Sequence, residues 1–133
     1  MSAAVRPLPV PTEIGAPFWE AADEGRLVRP VCDACGRSFF TPQVACPNCL
    51  STAWTWTESD GHGVLYSSTV VHRGPTPGFP VPYELAIVDL DEGWSMLSNV
   101  VGGDGPTPLG TRLEVEFLDL EGGHRLPVFG RAA

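Results

Sequence analysis

All four cysteines of the chain fall in one stretch of twenty residues, "VCDACGRSFFTPQVACPNCL" (31–50), as two Cys-x-x-Cys pairs with ten residues between them. No other feature limits the fold as much. A Cys-x-x-Cys turn lets both sulfurs reach one ion, and the amides just beyond each pair can hydrogen-bond the thiolates. Two such turns complete a tetrahedral S4 set, with zinc–sulfur bonds of about 2.3 Å. Gly36 follows Cys35 where the chain must turn sharply, and Pro47 stiffens the second turn. The spacing predicts a structural zinc ion on Cys32, Cys35, Cys46 and Cys49.

Cys-x-x-Cys pairs also occur in iron and redox proteins. The knuckles of rubredoxin, which hold iron, run close to "CDACG…CPNC", although rubredoxin is usually a much smaller free-standing carrier. A thioredoxin-like redox pair needs a βα unit that is not visible here. A catalytic zinc is not expected either, because four thiolates leave no position for water or substrate. A reducing compartment favours metal over disulfides. A cytoplasmic location follows by default, since prolines interrupt the N-terminus "MSAAVRPLPVPTEIG" and no apolar run approaches the roughly 20 residues of a membrane span.

The 133 residues suffice for one compact domain, or for a small module beside a slightly larger one. All eight basic residues are arginine, against sixteen acidic ones, for a formal charge of −8. An acidic surface works against nucleic acid, whose affinity comes from counterion release by basic side chains, and against anionic membranes. Fourteen prolines and fifteen glycines favour turns and strands over helix.

Residues 1–14, with Pro7, Pro9 and Pro11, read as an extended arm, either disordered or laid against a partner. "GAPFWEAADEGRL" predicts one short helix that starts at Pro17, ends at Gly25 and turns Phe18, Trp19, Ala22 and Leu27 to one side. "RLVRPV", "RSFFTP" and "TAWTWTES" are three β-prone runs around the two knuckles, so residues 15–58 read as helix plus zinc ribbon. Residues 59–133 read as all-β, with strands in "VLYSSTVVHR", "YELAIVDL", "WSMLSNVV", "RLEVEFLDL" and "HRLPVFG". Five short strands with glycine-rich turns predict a small closed barrel of the OB-fold kind. The fold class is therefore mostly β: a short N-terminal helix and a rubredoxin-like zinc ribbon, followed by a five-stranded OB-fold barrel.

No self-sufficient active site emerges, and no catalytic residue is assigned. His62, His72 and His124 read as surface histidines, and Ser67–Ser68 lacks a strained nucleophile turn. Glu114 and Glu116 alternate on a solvated strand face. Gly102-Gly103-Asp104-Gly105 precedes no helix, so it is not a phosphate loop of the usual kind. The loop "RGPTPGFPVPYE" (73–84) is unusual. It is either a stiff connector or a pre-ordered apolar surface for a partner or an acyl ligand, through Pro77, Phe79, Pro80 and Tyr83. A nucleic-acid module is the rival reading, with Tyr66, Phe79, Tyr83 and Trp94 as stacking platforms. Charge argues against it, because residues 64–131 carry four arginines against nine acidic residues.

The order of features carries a resemblance. "PFWEAADEGRLVRPVCDACG", "FTPQVACPNC", "SDGHGVLYSSTVV", "PYELAIVDLDEG", "RLEVEF" and "LPVFG" together resemble the zinc-ribbon plus OB-fold family known as domain of unknown function thirty-five, over about residues 16–130. Leu50 stands where that family often has glycine. The resemblance implies an accessory subunit of thiolase-superfamily enzymes acting on acyl-CoA thioesters: β-ketothiolases, hydroxymethylglutaryl-CoA synthase assemblies, or aldolases that shorten steroid side chains. Relatives also accompany MaoC-type enoyl-CoA hydratases. A thiolase-like large subunit, two copies of each chain and an acyl-CoA shared with the partner are the implied setting, and the partner supplies the catalysis. Should this chain border the CoA channel, Arg73, Arg125 and Arg131 are the candidates for its phosphates.

Overall fold

Pro17 in the first turn and Gly25 past the last one bracket helix α1 (Ala16–Asp23). Gly25 sits at φ +77°, where its N–H reaches the Ala22 carbonyl at 2.9 Å and the Arg26 N–H reaches that of Ala21 at 2.9 Å. These bonds satisfy carbonyls that a helix end otherwise leaves open. The computed structural model that shows this describes residues 6–103 and 105–132. Residues 1–5 of the expected arm lie outside that range. Arm residues 6–14 run without helix or strand, with Leu8 close to Gly122 of the barrel.

Strand β1 (Val28–Cys32) pairs antiparallel with β2 (Trp54–Glu58), from Val28↔Glu58 to Cys32↔Trp54. The third β-prone run, "RSFFTP", is not a strand and makes only an isolated bridge, Ser38↔Val31. Its two phenylalanines serve different clusters, Phe39 against Trp54 at 5.7 Å and Phe40 against Phe18 at 5.2 Å. Pro42, without an N–H, cannot extend the pairing.

The remaining strands are β3 (His62–Val71), β4 (Tyr83–Leu90), β5 (Trp94–Val100), β6 (Arg112–Asp119) and β7 (Arg125–Arg131). They close a barrel in the order β3-β4-β5-β7-β6, and β6 returns to β3 through His62↔Glu114, Gly63↔Leu113 and Val64↔Arg112. Strands β5 and β7 meet in parallel at one register pair only, Val100↔Phe129. Away from that pair, the Ser98 hydroxyl donates to the Pro127 carbonyl at 2.9 Å.

The interior does not divide at the ribbon–barrel boundary. Phe18, Ala21, Leu27 and Val28 belong to the same buried cluster as Leu65, Val88, Trp94, Met96, Leu113 and Phe129 of the barrel. The apolar side of α1 therefore has its cover within the chain. Full burial of each large side chain stabilises by roughly 1.5–3 kcal/mol.

A carboxylate fastens the junction. Glu92, in the β4–β5 turn, accepts from the Ser59 hydroxyl (2.9 Å), the Asp60 N–H (2.8 Å) and the Trp94 indole N–H (3.0 Å). Burial alone would raise its pKa, but the Asp60, Trp94 and Ser59 donors outweigh that and hold it below the ordinary glutamate value. A depressed folded pKa contributes stability above the unfolded pKa of about 4.3, which is lost as pH falls through the folded value. We expect Glu92→Gln to cost about 1–3 kcal/mol at pH 7. In urea titrations the difference from wild type should shrink as pH falls below about 4.3. A constant difference across that window would contradict this account.

Candidate functional site

The two knuckles are built alike. The Gly36 N–H bonds the Cys32 carbonyl at 2.9 Å, and the Leu50 N–H bonds that of Cys46 at 2.9 Å. The Cys32 N–H reaches the Arg37 carbonyl at 2.9 Å, and the Cys46 N–H reaches that of Ser51 at 2.8 Å. In each pair the first cysteine is buried and the second exposed. All four Sγ atoms lie within 4.8 Å of one another, with Cys32–Cys49 at 3.5 Å and Cys35–Cys46 at 3.7 Å. Metal–sulfur bonds of about 2.3 Å in a tetrahedron put sulfurs about 3.8 Å apart, so the set has the dimensions of a metal centre.

Amides within each pair point inward, from Cys35 to the Cys32 Sγ (3.5 Å) and from Asn48 to the Cys46 Sγ (3.4 Å). The Arg37 amide, helped by Asn48, draws Cys35 down to about 6. Against the pull of the Ser51 amide, the neighbouring sulfurs push Cys49 up to about 11. Four thiols this close cannot all ionise unaided, and a bound dication removes the conflict.

The symmetry breaks at one point. Gly36 takes φ +77° and Leu50, its counterpart, φ +67°. A left-handed backbone costs an L-residue roughly 1–2 kcal/mol, and the Leu50 side chain is 76% exposed, so burial returns little. Leu50→Gly should therefore stabilise the metal-loaded protein by about 0.5–1 kcal/mol in chemical denaturation, after the entropy glycine adds to the unfolded chain. A loss of stability would show that Leu50 makes contacts that outweigh its strain.

The three arginines are exposed and do not converge. Arg125 and Arg131 sit at opposite ends of β7, about 20 Å apart at 3.3 Å per residue. Arg125 pairs with Asp119 at 3.0 Å. Arg73 follows the end of β3 near the start of β4, where Val71 pairs with Tyr83, and Arg131 acts electrostatically on Glu84 in that same strand. None of the three lines the cavities of about 620, 410 and 160 Å³ formed by the described residues.

Loop residues Phe79, Pro80 and Tyr83 do come together, around a cavity of about 160 Å³ that Arg6 and Asn99 share. Phe79 lies 6.1 Å from Tyr83 by ring centroid, and the Arg6 guanidinium stands 4.8 Å above the Phe79 ring. Pro77 is exposed and is not part of the lining. Of the proposed stacking aromatics, Trp94 is interior at 4% exposure and cannot meet a base.

Sequence reasoning missed a cavity of about 620 Å³ between the arm, α1, the segment after Phe39 and the barrel. Phe18, Trp19, Phe40, Met96, Leu97 and Leu126 supply most of its apolar wall, and Arg6 is its charged residue. One signal was available: Arg6 is the only basic residue before Arg26, set among prolines. His124, read as a surface residue, is partly exposed and also ties α1 to the barrel through Asp23, with Nδ1 3.1 Å from Oδ2.

A four-thiol ribbon sharing its core with a closed five-stranded barrel defines the class: a metal-ribbon protein with an OB-fold. Residues 19–55 match the family model for the "ChsH2, rubredoxin-like zinc ribbon domain", and residues 56–118 that for the "ChsH2, C-terminal OB-fold domain". The chain belongs to the DUF35 family. It is 36% identical over 127 residues, 95% of its length, to a "Probable enoyl-CoA hydratase alpha subunit" of Thermomonospora curvata, of which it spans 40%. It is 32% identical over 90 residues, 65% of its length, to a "DUF35 domain-containing scaffold protein" of Methanothermobacter thermautotrophicus, of which it covers 67%. Among solved structures, a chain of the "Ltp2-ChsH2(DUF35) aldolase" superposes with a TM-score of 0.86 at 35% identity, covering 95% of this chain and 100% of that one. No helix among the described residues is long and apolar enough to cross a membrane.

Proposed function

We propose that this chain is a non-catalytic, zinc-binding accessory subunit of a thiolase-like enzyme acting on acyl-CoA thioesters. The full-length likeness to the aldolase chain carries the reading. A retro-aldol cleavage of a steroid or similar side-chain acyl-CoA is the first variant and a β-ketothiolase the second. The partner supplies nucleophile and acid–base groups, in a heterotetramer with two copies of each chain. A reducing cytoplasm suits the unoxidised thiol set. Zinc is the ion the four thiolates suit best, and a colourless protein with one zinc per chain is the expected preparation. A red, redox-active iron protein would refute that assignment.

On this reading Phe79, Pro80 and Tyr83 border the acyl passage. Arg73 and Arg131, near the same end of the barrel, are better placed than Arg125 to share the CoA phosphates. Co-expression with the thiolase-like protein encoded beside it should yield a stable complex whose acyl-CoA activity depends on this chain. A large subunit that is fully active alone and never co-purifies would overturn the proposal. The likeness to a hydratase α subunit favours a second reading, in which the partner is a MaoC-type hydratase. The same co-purification with that partner distinguishes the two.

A further inference from the structure

The 620 Å³ cavity lies where β5 and β7 part, and its walls come from five separate segments of chain. Its size falls in the roughly 300–1,000 Å³ range of small-molecule sites. Of the neutral polar side chains along it, those of Thr12, Ser98 and Asn99 have partners already, which leaves the Thr41 hydroxyl. Thr12 Oγ1 accepts from the Gly15 N–H at 3.0 Å, the Ser98 hydroxyl donates to Pro127, and the Asn99 amide donates to the Glu84 carbonyl at 3.0 Å. What the wall offers a ligand is apolar surface, much of it aromatic.

Arg6 is different. The acidic residues outnumber the arginines two to one, and Arg26, Arg112 and Arg125 each pair with a carboxylate. Among the described residues Arg6 makes no ion pair, as is also true of Arg29, Arg37, Arg73 and Arg131, but of these five it alone lines the cavity. Arg6 is half-buried, with its guanidinium over Phe79, and it lines both this cavity and its smaller neighbour. A guanidinium kept from the chain's own carboxylates at the edge of an apolar cavity is a receptor for an anionic head group.

We propose that this cavity binds an amphipathic carboxylate, with its hydrocarbon body against Trp19, Phe40 and Leu97 and its carboxylate on Arg6. The site is complete within this chain and does not rest on the accessory-subunit reading.

Titration calorimetry of the metal-loaded full chain with decanoate, and with 1-decanol as the uncharged counterpart, tests this. Decanoate should bind one to one. Arg6→Gln should weaken decanoate about tenfold and leave decanol unchanged. Leu97→Glu, at a position 63% exposed and so harmless to the core, should also weaken decanoate by placing a like charge at the cavity. No one-to-one binding, or binding indifferent to both substitutions, overturns the proposal. So does a wild-type chain that ignores decanoate while Leu97→Glu abolishes capture of a partner protein, since the cavity would then be a protein-docking groove.

Discussion

Cys46→Ser is expected to cost the protein its metal and the fold of the ribbon with it. Cys46 is fully buried and packs with Cys32, Phe39 and Trp54 in the ribbon's own small cluster. Serine is a poor metal ligand, and it would leave a hydroxyl in a space shaped for sulfur. Structural zinc contributes about 10–16 kcal/mol of apparent binding energy in small zinc peptides, comparable to the whole stability of a typical domain. Bound metal should fall from one per chain towards zero, and the tryptophan near-ultraviolet signal should collapse. Cys49→Ser should be milder, because at that exposed position water can complete the coordination sphere. Equal loss at the two positions would show that burial does not decide how much each ligand matters. Full metal content in Cys46→Ser would remove the structural role itself.

Phe18→Ala is the second large effect. Phe18 stands where helix, ribbon and barrel meet, with ring centroids 5.2 Å from Trp19, 5.2 Å from Phe40 and 6.5 Å from Trp56. Truncating a buried phenylalanine typically costs about 3–5 kcal/mol. The shared core predicts that this loss is felt throughout the chain. Far-ultraviolet dichroism and tryptophan fluorescence should report one coincident denaturant transition, shifted to lower concentration for both probes. A barrel that unfolds at its wild-type midpoint while the ribbon loosens separately would show two independent cores.

Much of this architecture was legible in the sequence. Strands β3 to β7 lie where period-two alternation and β-branched runs placed them, because each run records which face of one strand meets the interior. The ends of α1 were readable from Pro17 and Gly25, whose backbone preferences act within a turn. "RSFFTP" misled because β-prone composition also describes a segment whose aromatic rings serve two packing clusters. Glu92 gave no signal at all: a glutamate in an acidic turn looks solvated until three donors from two elements converge on it.

What the sequence by itself determined was therefore local. The ligand set, the knuckle turns, the helix ends and the strand faces are each encoded within a few consecutive residues, where spacing and backbone preference act directly. Only the tertiary structure decided that ribbon and barrel share one core. It alone separated Arg125 from Arg131 and set Arg6 beside Trp19, Phe40 and Leu97 at one cavity. Those relations depend on how the barrel closes and where β5 and β7 part. Such long-range geometry leaves no periodic trace in the chain.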